Sequence, residues 1–482
     1  MKIEERDREK IISDMCRMIQ CKTVSNLDDS LVDWNEFEKF RALLKEIFPK
    51  IYEVCEFTRV GKSGIVHKIA GTGGAENRGK VLMAHYDVVP ADGQNWDFPP
   101  FAGDIADGFI RGRGTLDTKG TLCSCMEAVE IGLNSGWKPE TDLYLCFSGE
   151  EEINGNSCSD IVDWFKSRNI EIDFVLDEGG AIVENVFPGV KQRCAMIGTA
   201  EKGSVYMDLV IEGKPGHAST PPKHSVAGLA GKAVCAIEKH PCRAEYTQPI
   251  KDLFKVMGPN NSNGALKFLF GNLWLTKPLI SLVSGLAGGE RNAMLHTTCA
   301  VTKLEGSNAY NVLPSKATVG MNFRLLGSDT VEKAKTRIEK YASKAAGKKV
   351  SVTVNVVSES NPSKVSDTKC SQWNDLCAVV HKTWPEILIS PYLMMACSDS
   401  RHYCRITDKI YRFSGMFMTK EERGMIHGAN ERIGCDTLLK TVEFYLNLLE
   451  IAVIYADEIL CRCKNGFLAT QRFIFLNWFL FL

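Results

Sequence analysis

Three observations predict an α/β fold with a smaller α+β domain inserted into it. Strand-like and helix-like runs alternate through the first 180 residues; near residue 200 the strands change to an alternation of apolar and polar positions; after about residue 360 buried character returns. Strands separated by helices build βαβ units and a mostly parallel sheet, because a parallel neighbour needs a crossover long enough to hold a helix. Alternating strands build a sheet with one face in water. The predicted boundaries are 1–199 and 360–460 for the α/β domain and 200–359 for the insertion, with an apolar tail at 461–482.

The elements follow in order. "DWNEFEKFRALLKEIF" spaces its apolar residues as a helix does. "KVLMAHYDVV" and "TDLYLCFS" are buried strands, and between them "TKGTLCSCMEAVEIGLNSG" is a helix closed by Gly136. "IDFVLDEGG" is a third strand with a turn behind it. In the insertion, "KGSVYMDLVIEG", "ATVGMNFRLLG" and "KKVSVTVNVV" are strands, while "SVAGLAGKAVCAIEKH" and "TVEKAKTRIEKYASKAAG" are helices. The last part adds helices at "KCSQWNDLCAVVHKTW" and "TLLKTVEFYLNLLEIAVIYA".

Composition narrows the function. Hydrophobic residues make up 44% and charged residues 24% of the 482, the balance of a globular protein in water. The net charge of −1, with no long basic run, argues against nucleic acid or an anionic membrane as main partner. The charged start "MKIEERDREK" has no apolar stretch behind it, so the expectation is a cytoplasmic protein with its 18 cysteines reduced. Cys123/Cys125 and Cys461/Cys463 lack zinc-ribbon spacing. The stretch "FIFLNWFLFL" at 473–482 is shorter than the ~17–25 residues of a membrane span, so no span is expected.

Open α/β sheets place their ligands at the C-terminal ends of the strands. There the chain offers His85 and Asp87 in "VLMAHYDVVP", Asp117 in "GRGTLDTKG", Glu150, Glu151 and Glu152 in "FSGEEEING", and Asp177 and Glu178 in "VLDEGG". His427 follows in "MIHGANERI". Each alone has an ordinary structural explanation. Together they are imidazoles and carboxylates without a thiolate, a donor set suited to zinc, manganese or cobalt at a hydrolytic site.

These motifs, with "GKPGHASTPP", "NVLPSKATVGMNFR" and "SDSRHY", resemble in identity and order the dinuclear zinc exopeptidases that include aminoacylase, carboxypeptidase S and carnosinase. The likeness runs from about residue 10 to about 455 and is greatest to the carboxypeptidase S branch. It implies a zinc-exopeptidase-like catalytic domain with an inserted lid or dimerisation domain, and two zinc ions per chain, with cobalt or manganese as alternatives. His85 and Asp177 would hold one ion, Glu152 and His427 the other, and Asp117 would bridge them, its peptide bond to Thr118 being cis. Glu151 would be the general base and Asp87 would orient His85. His217 would stabilise the oxyanion, in many relatives across a homodimer, and Asn311 and Arg324 would grip the substrate's carboxylate.

Two departures mark the chain. Three glutamates stand where Asp-Glu-Glu is usual, which reads Glu150 as the Asp equivalent, and "MACSDSRHY" lacks the usual Gly-Gly-Thr. Arg401 is either a further carboxylate contact or half of a structural ion pair. The expected activity is hydrolysis of an amide bond beside a free α-carboxylate, in a dipeptide or short peptide. The alternatives are an N-acyl-amino-acid deacylase and, more remotely, a non-catalytic binding protein on the same fold.

Overall fold

The computed structural model describes residues 1–74 and 78–450. The apolar tail and Cys461/Cys463 lie outside them. A ten-stranded mixed sheet forms the body, and its centre runs Gly64–Ile69, Asp142–Ser148, Arg78–His85, Glu171–Asp177, Ile410–Arg412, Cys194–Glu201. Arg78–His85 lies parallel to both Asp142–Ser148 and Glu171–Asp177, which in turn lies parallel to Ile410–Arg412. The central strands are buried along nearly their whole length, the pattern of a sheet covered on both faces. Register sets the site: His85 stands directly opposite Ser148, so the turns after both strands open at one edge.

The helix Lys119–Asn134 is almost wholly buried, which explains why it reads as uniformly apolar rather than amphipathic. It starts at Lys119, two residues after Asp117, and Gly136 beyond its end has φ +81°, a conformation that favours glycine. Trp34–Ile47 and Ser371–Thr383 also form helices close to their expected bounds. The helix expected at 437–456 is described from 435 to 450. Among the described residues no helix is long and apolar enough to cross a membrane, and the sixteen described cysteines are free thiols.

The second sheet has four antiparallel strands in the order Thr298–Glu305, Lys316–Leu325, Gly203–Glu212, Ser351–Ser360. Val226–Glu238 and Val331–Ala346 pack against it around Val205, Leu209, Val319 and Phe323. Ser225 and Thr330 cap the two helices, each side chain accepting a backbone N–H of the first turn.

The segment expected as one insertion, 200–359, is divided in the structure. Helices between Gln248 and Leu295 leave the small sheet and return to the main body. Leu253 and Met257 join the main core, and Ile250, Phe254 and Phe270 pack with Ala200 and Leu393. Ile250, Leu253, Phe254 and Met257 are the buried apolar residues of Gln248–Met257, and their apolar partners lie in the main body.

Candidate active site

The strand ends bring the predicted residues to one place. Asp117 lies between two imidazoles: its Oδ1 is 3.0 Å from His85 Nε2 and its Oδ2 is 2.9 Å from His427 Nε2. Glu152 Oε2 is 3.0 Å from the same His427 nitrogen. His85 is buried, and His427 is held in its loop at φ +59°. The peptide bond Asp117–Thr118 is cis.

A second carboxylate approaches the same His85 nitrogen. Glu178, not Asp177, approaches the imidazole, with its Oε1 3.3 Å from His85 Nε2. Asp177 is the last residue of its strand, and its side chain turns into the body, where Oδ2 accepts the Ser400 N–H at 3.1 Å. Glu178 is the first residue beyond the strand, in the turn that faces the opening. His85, Glu151 and Glu178 form one group with donor atoms within 4.8 Å of one another, and His85, Asp117 and Glu152 form a second.

Asp87 performs two tasks. Its backbone carbonyl lies 2.9 Å from His85 Nδ1, nearer than its carboxylate at 3.4 Å, so the main chain is the closer partner in orienting the ring. The carboxylate accepts the N–H groups of Glu151 and Glu152, each at 3.1 Å, and the Ser25 hydroxyl at 2.7 Å. It thereby pins the turn that carries both glutamates. Glu150 points elsewhere and accepts the Ser63 hydroxyl at 2.8 Å.

Reading by sequence missed Glu431. This buried carboxylate accepts the N–H groups of Gly114, Leu116 and Asp117 and the Arg113 guanidinium, at 2.8–3.2 Å. One loop thus supplies His427 and also clamps the backbone of Asp117. The quoted motif "IHGANERI" contains Glu431, but nothing in its spacing names a partner more than 300 positions away.

The electrostatics suit cations. Burial pushes the Glu151 carboxyl well above the ordinary carboxylate range. It pushes Glu178 up to about 8, against the pull of His85. His427 rises to about 10 through its bonds to Asp117 and Glu152. Burial opposes ionisation of Asp117 too, yet its bonds with His427 and His85 hold it below the usual carboxylate value. Four carboxylates therefore have two imidazoles as their ion-pair partners among the described residues. Glu152 Oε1 is buried with no protein partner. An N/O donor set with excess negative charge and an unused acceptor fits divalent metal.

The small domain holds the remaining candidates. His217 and Asn311 adjoin in a two-stranded ribbon, where His217 pairs with Val312 and the Ala218 N–H donates to Asn311 O at 3.1 Å. Both are exposed, and His217 Nδ1 contacts the Ser219 hydroxyl at 2.7 Å rather than the carboxylate cluster. Arg324 reaches toward the main body, Nη1 donating to Cys397 Sγ at 3.6 Å. Cys397 belongs to the segment that departs from Gly-Gly-Thr. Arg401 forms no ion pair among the described residues; it donates to Ser398 O at 2.8 Å and Asn154 Oδ1 at 3.2 Å.

Comparison with known proteins agrees with this architecture. The model of peptidase family M20/M25/M40 matches residues 81–451. The chain is 31% identical over 452 residues to N-fatty-acyl-amino acid synthase/hydrolase PM20D1 of Xenopus tropicalis, covering 93% of this chain and 87% of that protein. It is 32% identical over 420 residues to probable carboxypeptidase S-like 2 of Dictyostelium discoideum, covering 86% and 79%. The M20 family metallo-carboxypeptidase Sso-CP2 of Sulfolobus solfataricus has the same fold, with a TM-score of 0.69 and 17% identity over 92% of this chain and 99% of that one. The chain belongs to peptidase family M20/M25/M40 and is a hydrolase of the metallopeptidase kind.

Proposed function

We propose that the protein hydrolyses an amide bond whose amine side carries a free α-carboxylate. The observation that carries this reading is Asp117 set between His85 and His427, with Glu178 and Glu152 beside the two imidazoles. Those five residues would hold two divalent ions, zinc with cobalt or manganese as alternatives. Ions held there would supply a water of pKa lowered toward ~7 and polarise a carbonyl. Glu151, next to the Glu152 ligand, accepts the water's proton and delivers it to the departing amine. Arg324 has a planar guanidinium without a carboxylate partner among the described residues, and it binds the substrate carboxylate together with Asn311. His217 donates to the carbonyl oxygen as negative charge develops there.

Peptides and N-acyl amino acids both present that carboxylate. The carboxypeptidase S-like relative favours the first class and the N-fatty-acyl-amino acid synthase/hydrolase relatives favour the second. A panel of dipeptides and N-acyl amino acids, assayed with added zinc, cobalt or manganese, separates them. Arg324→Ala should impair free carboxylates far more than the matching amides, and equal loss on both would remove the clamp. Turnover of no member of either class, in protein shown to hold metal, would overturn the reading.

A further inference from the structure

A cavity of about 420 Å³ opens where the small domain joins the main body. Its walls include the connecting segments: 242–245 beyond the helix Val226–Glu238, Thr297 before the strand Thr298–Glu305, and 328–329 beyond the strand Lys316–Leu325. Five of its side chains are charged, and they are of both signs: Glu245 and Asp329, with Arg243, Lys333 and Arg337. Among the described residues none of the five takes part in an ion pair. Nearby groups hold four of them apart. Lys333 Nζ donates to Ser328 O at 2.6 Å and Arg337 Nη2 donates to His240 O. Glu245 Oε2 accepts the Ser328 N–H at 3.1 Å and its hydroxyl at 3.0 Å, and Asp329 Oδ2 accepts the Thr297 hydroxyl. Glu245 Oε1, Asp329 Oδ1 and the Arg243 guanidinium keep their bonding capacity unused among the described residues. We propose that this cavity binds a free α-amino acid with an apolar side chain.

The lining selects that ligand by charge, by surface and by size. An amino acid carries both charges on one carbon, so its carboxylate meets the guanidinium and ammonium donors while its ammonium meets the two unused carboxylate oxygens. A divalent cation would meet three positive side chains, and a phosphate ester would meet two carboxylates. Phe323 and Ala334, both buried, and half-buried Cys242 supply an apolar part of the wall for the ligand's side chain. The volume falls within the ~300–1,000 Å³ of small-molecule pockets. The cavity is also distinct from the carboxylate clamp. Neighbouring strand residues point to opposite faces. Phe323 lines the cavity, while Arg324, next to it in the same strand, reaches Cys397 in the main body. The amino acid therefore sits on the reverse side of the strand from Arg324.

Calorimetric titration of the full chain with L-leucine should give saturable binding, with a Kd of about 10 μM–1 mM for so small a ligand. Isoamylamine lacks the carboxylate and 4-methylpentanoate lacks the ammonium, and each should bind at least ~10-fold more weakly. Arg324 offers a second place for a carboxylate, so alkylation by iodoacetamide, followed at each cysteine by peptide mass spectrometry, locates the ligand. Saturating L-leucine should slow modification of Cys242, and the protection should persist in Arg324→Ala. Glu245→Gln and Arg337→Gln should each weaken L-leucine binding several-fold. The protection of Cys242 is read on the wild-type chain, so the test stands even where a variant folds poorly. No saturable binding up to about 10 mM overturns the proposal, as does equal affinity for either analogue. Protection of Cys397 in place of Cys242, with binding lost in Arg324→Ala, would put the ligand at the clamp and overturn it as well.

Discussion

Glu431→Gln tests whether the His427 loop builds the site as well as contributing to it. The carboxylate receives four donors: Arg113 Nη1 at 2.8 Å and Gly114 N at 3.0 Å on one oxygen, Leu116 N at 2.8 Å and Asp117 N at 3.2 Å on the other. Burial pushes the carboxyl's pKa up, but a group surrounded by donors is stabilised as the anion. Glutamine keeps the shape and turns one oxygen into an NH2, so two buried donors then face a donor. Each unsatisfied group costs ~1–3 kcal/mol, and removing one partner of a buried ion pair costs ~3–5 kcal/mol. The two descriptions overlap, so the expected loss is on the order of 3–5 kcal/mol, a large share of the ~5–15 kcal/mol of ordinary stability. Asp117 loses its backbone anchor at the same time, and metal affinity should fall ~10–100-fold, as for other supports behind a ligand. Thermal unfolding and metal content by mass spectrometry, with exposed Glu171→Gln as control, read both effects. A Glu431→Gln protein with wild-type midpoint and full metal content would refute the clamp.

Glu151→Gln should retain metal and lose ~10²–10⁴-fold in turnover, while Glu152→Gln should lose metal; the reverse would shift the roles by one residue. Glu178→Gln should reduce metal content more than Asp177→Asn, and a larger loss for Asp177→Asn would restore the ligand first expected there. His67 is fully buried, with the Tyr52 and Phe57 rings 4.9 and 5.0 Å away, and burial lowers its pKa to about 4. Its unfolded value is near 6.5, so the unfolded chain binds more protons between about pH 4 and 6.5. The His67 contribution is therefore whole above that window and lost as pH falls through it, by up to a few kcal/mol. Urea unfolding of wild type and His67→Leu at pH 7 and pH 5 should show a smaller pH effect in the variant; equal slopes would refute the assignment.

What could be read from the sequence follows from the range of each interaction. His85 and the turn after Ser148 are legible because buried strands announce themselves locally and parallel strands align their C-terminal ends. The choice between Asp177 and Glu178 is not, because it depends on which residue ends the strand. The Asp177 direction is set by the Ser400 N–H, a partner 223 positions away. Glu431 shows the same limit, since its value lies in donors on a loop that closes only in the folded chain. The helix Leu273–Ala287 shows the converse. Its apolar residues are plain in the sequence, but apolar character there signals a core helix, and only the fold reveals that Thr276 and Ser284 are inside while the leucines are outside. Local pattern therefore identifies which residues carry chemistry or apolar surface. Which way they face is decided by contacts across the fold.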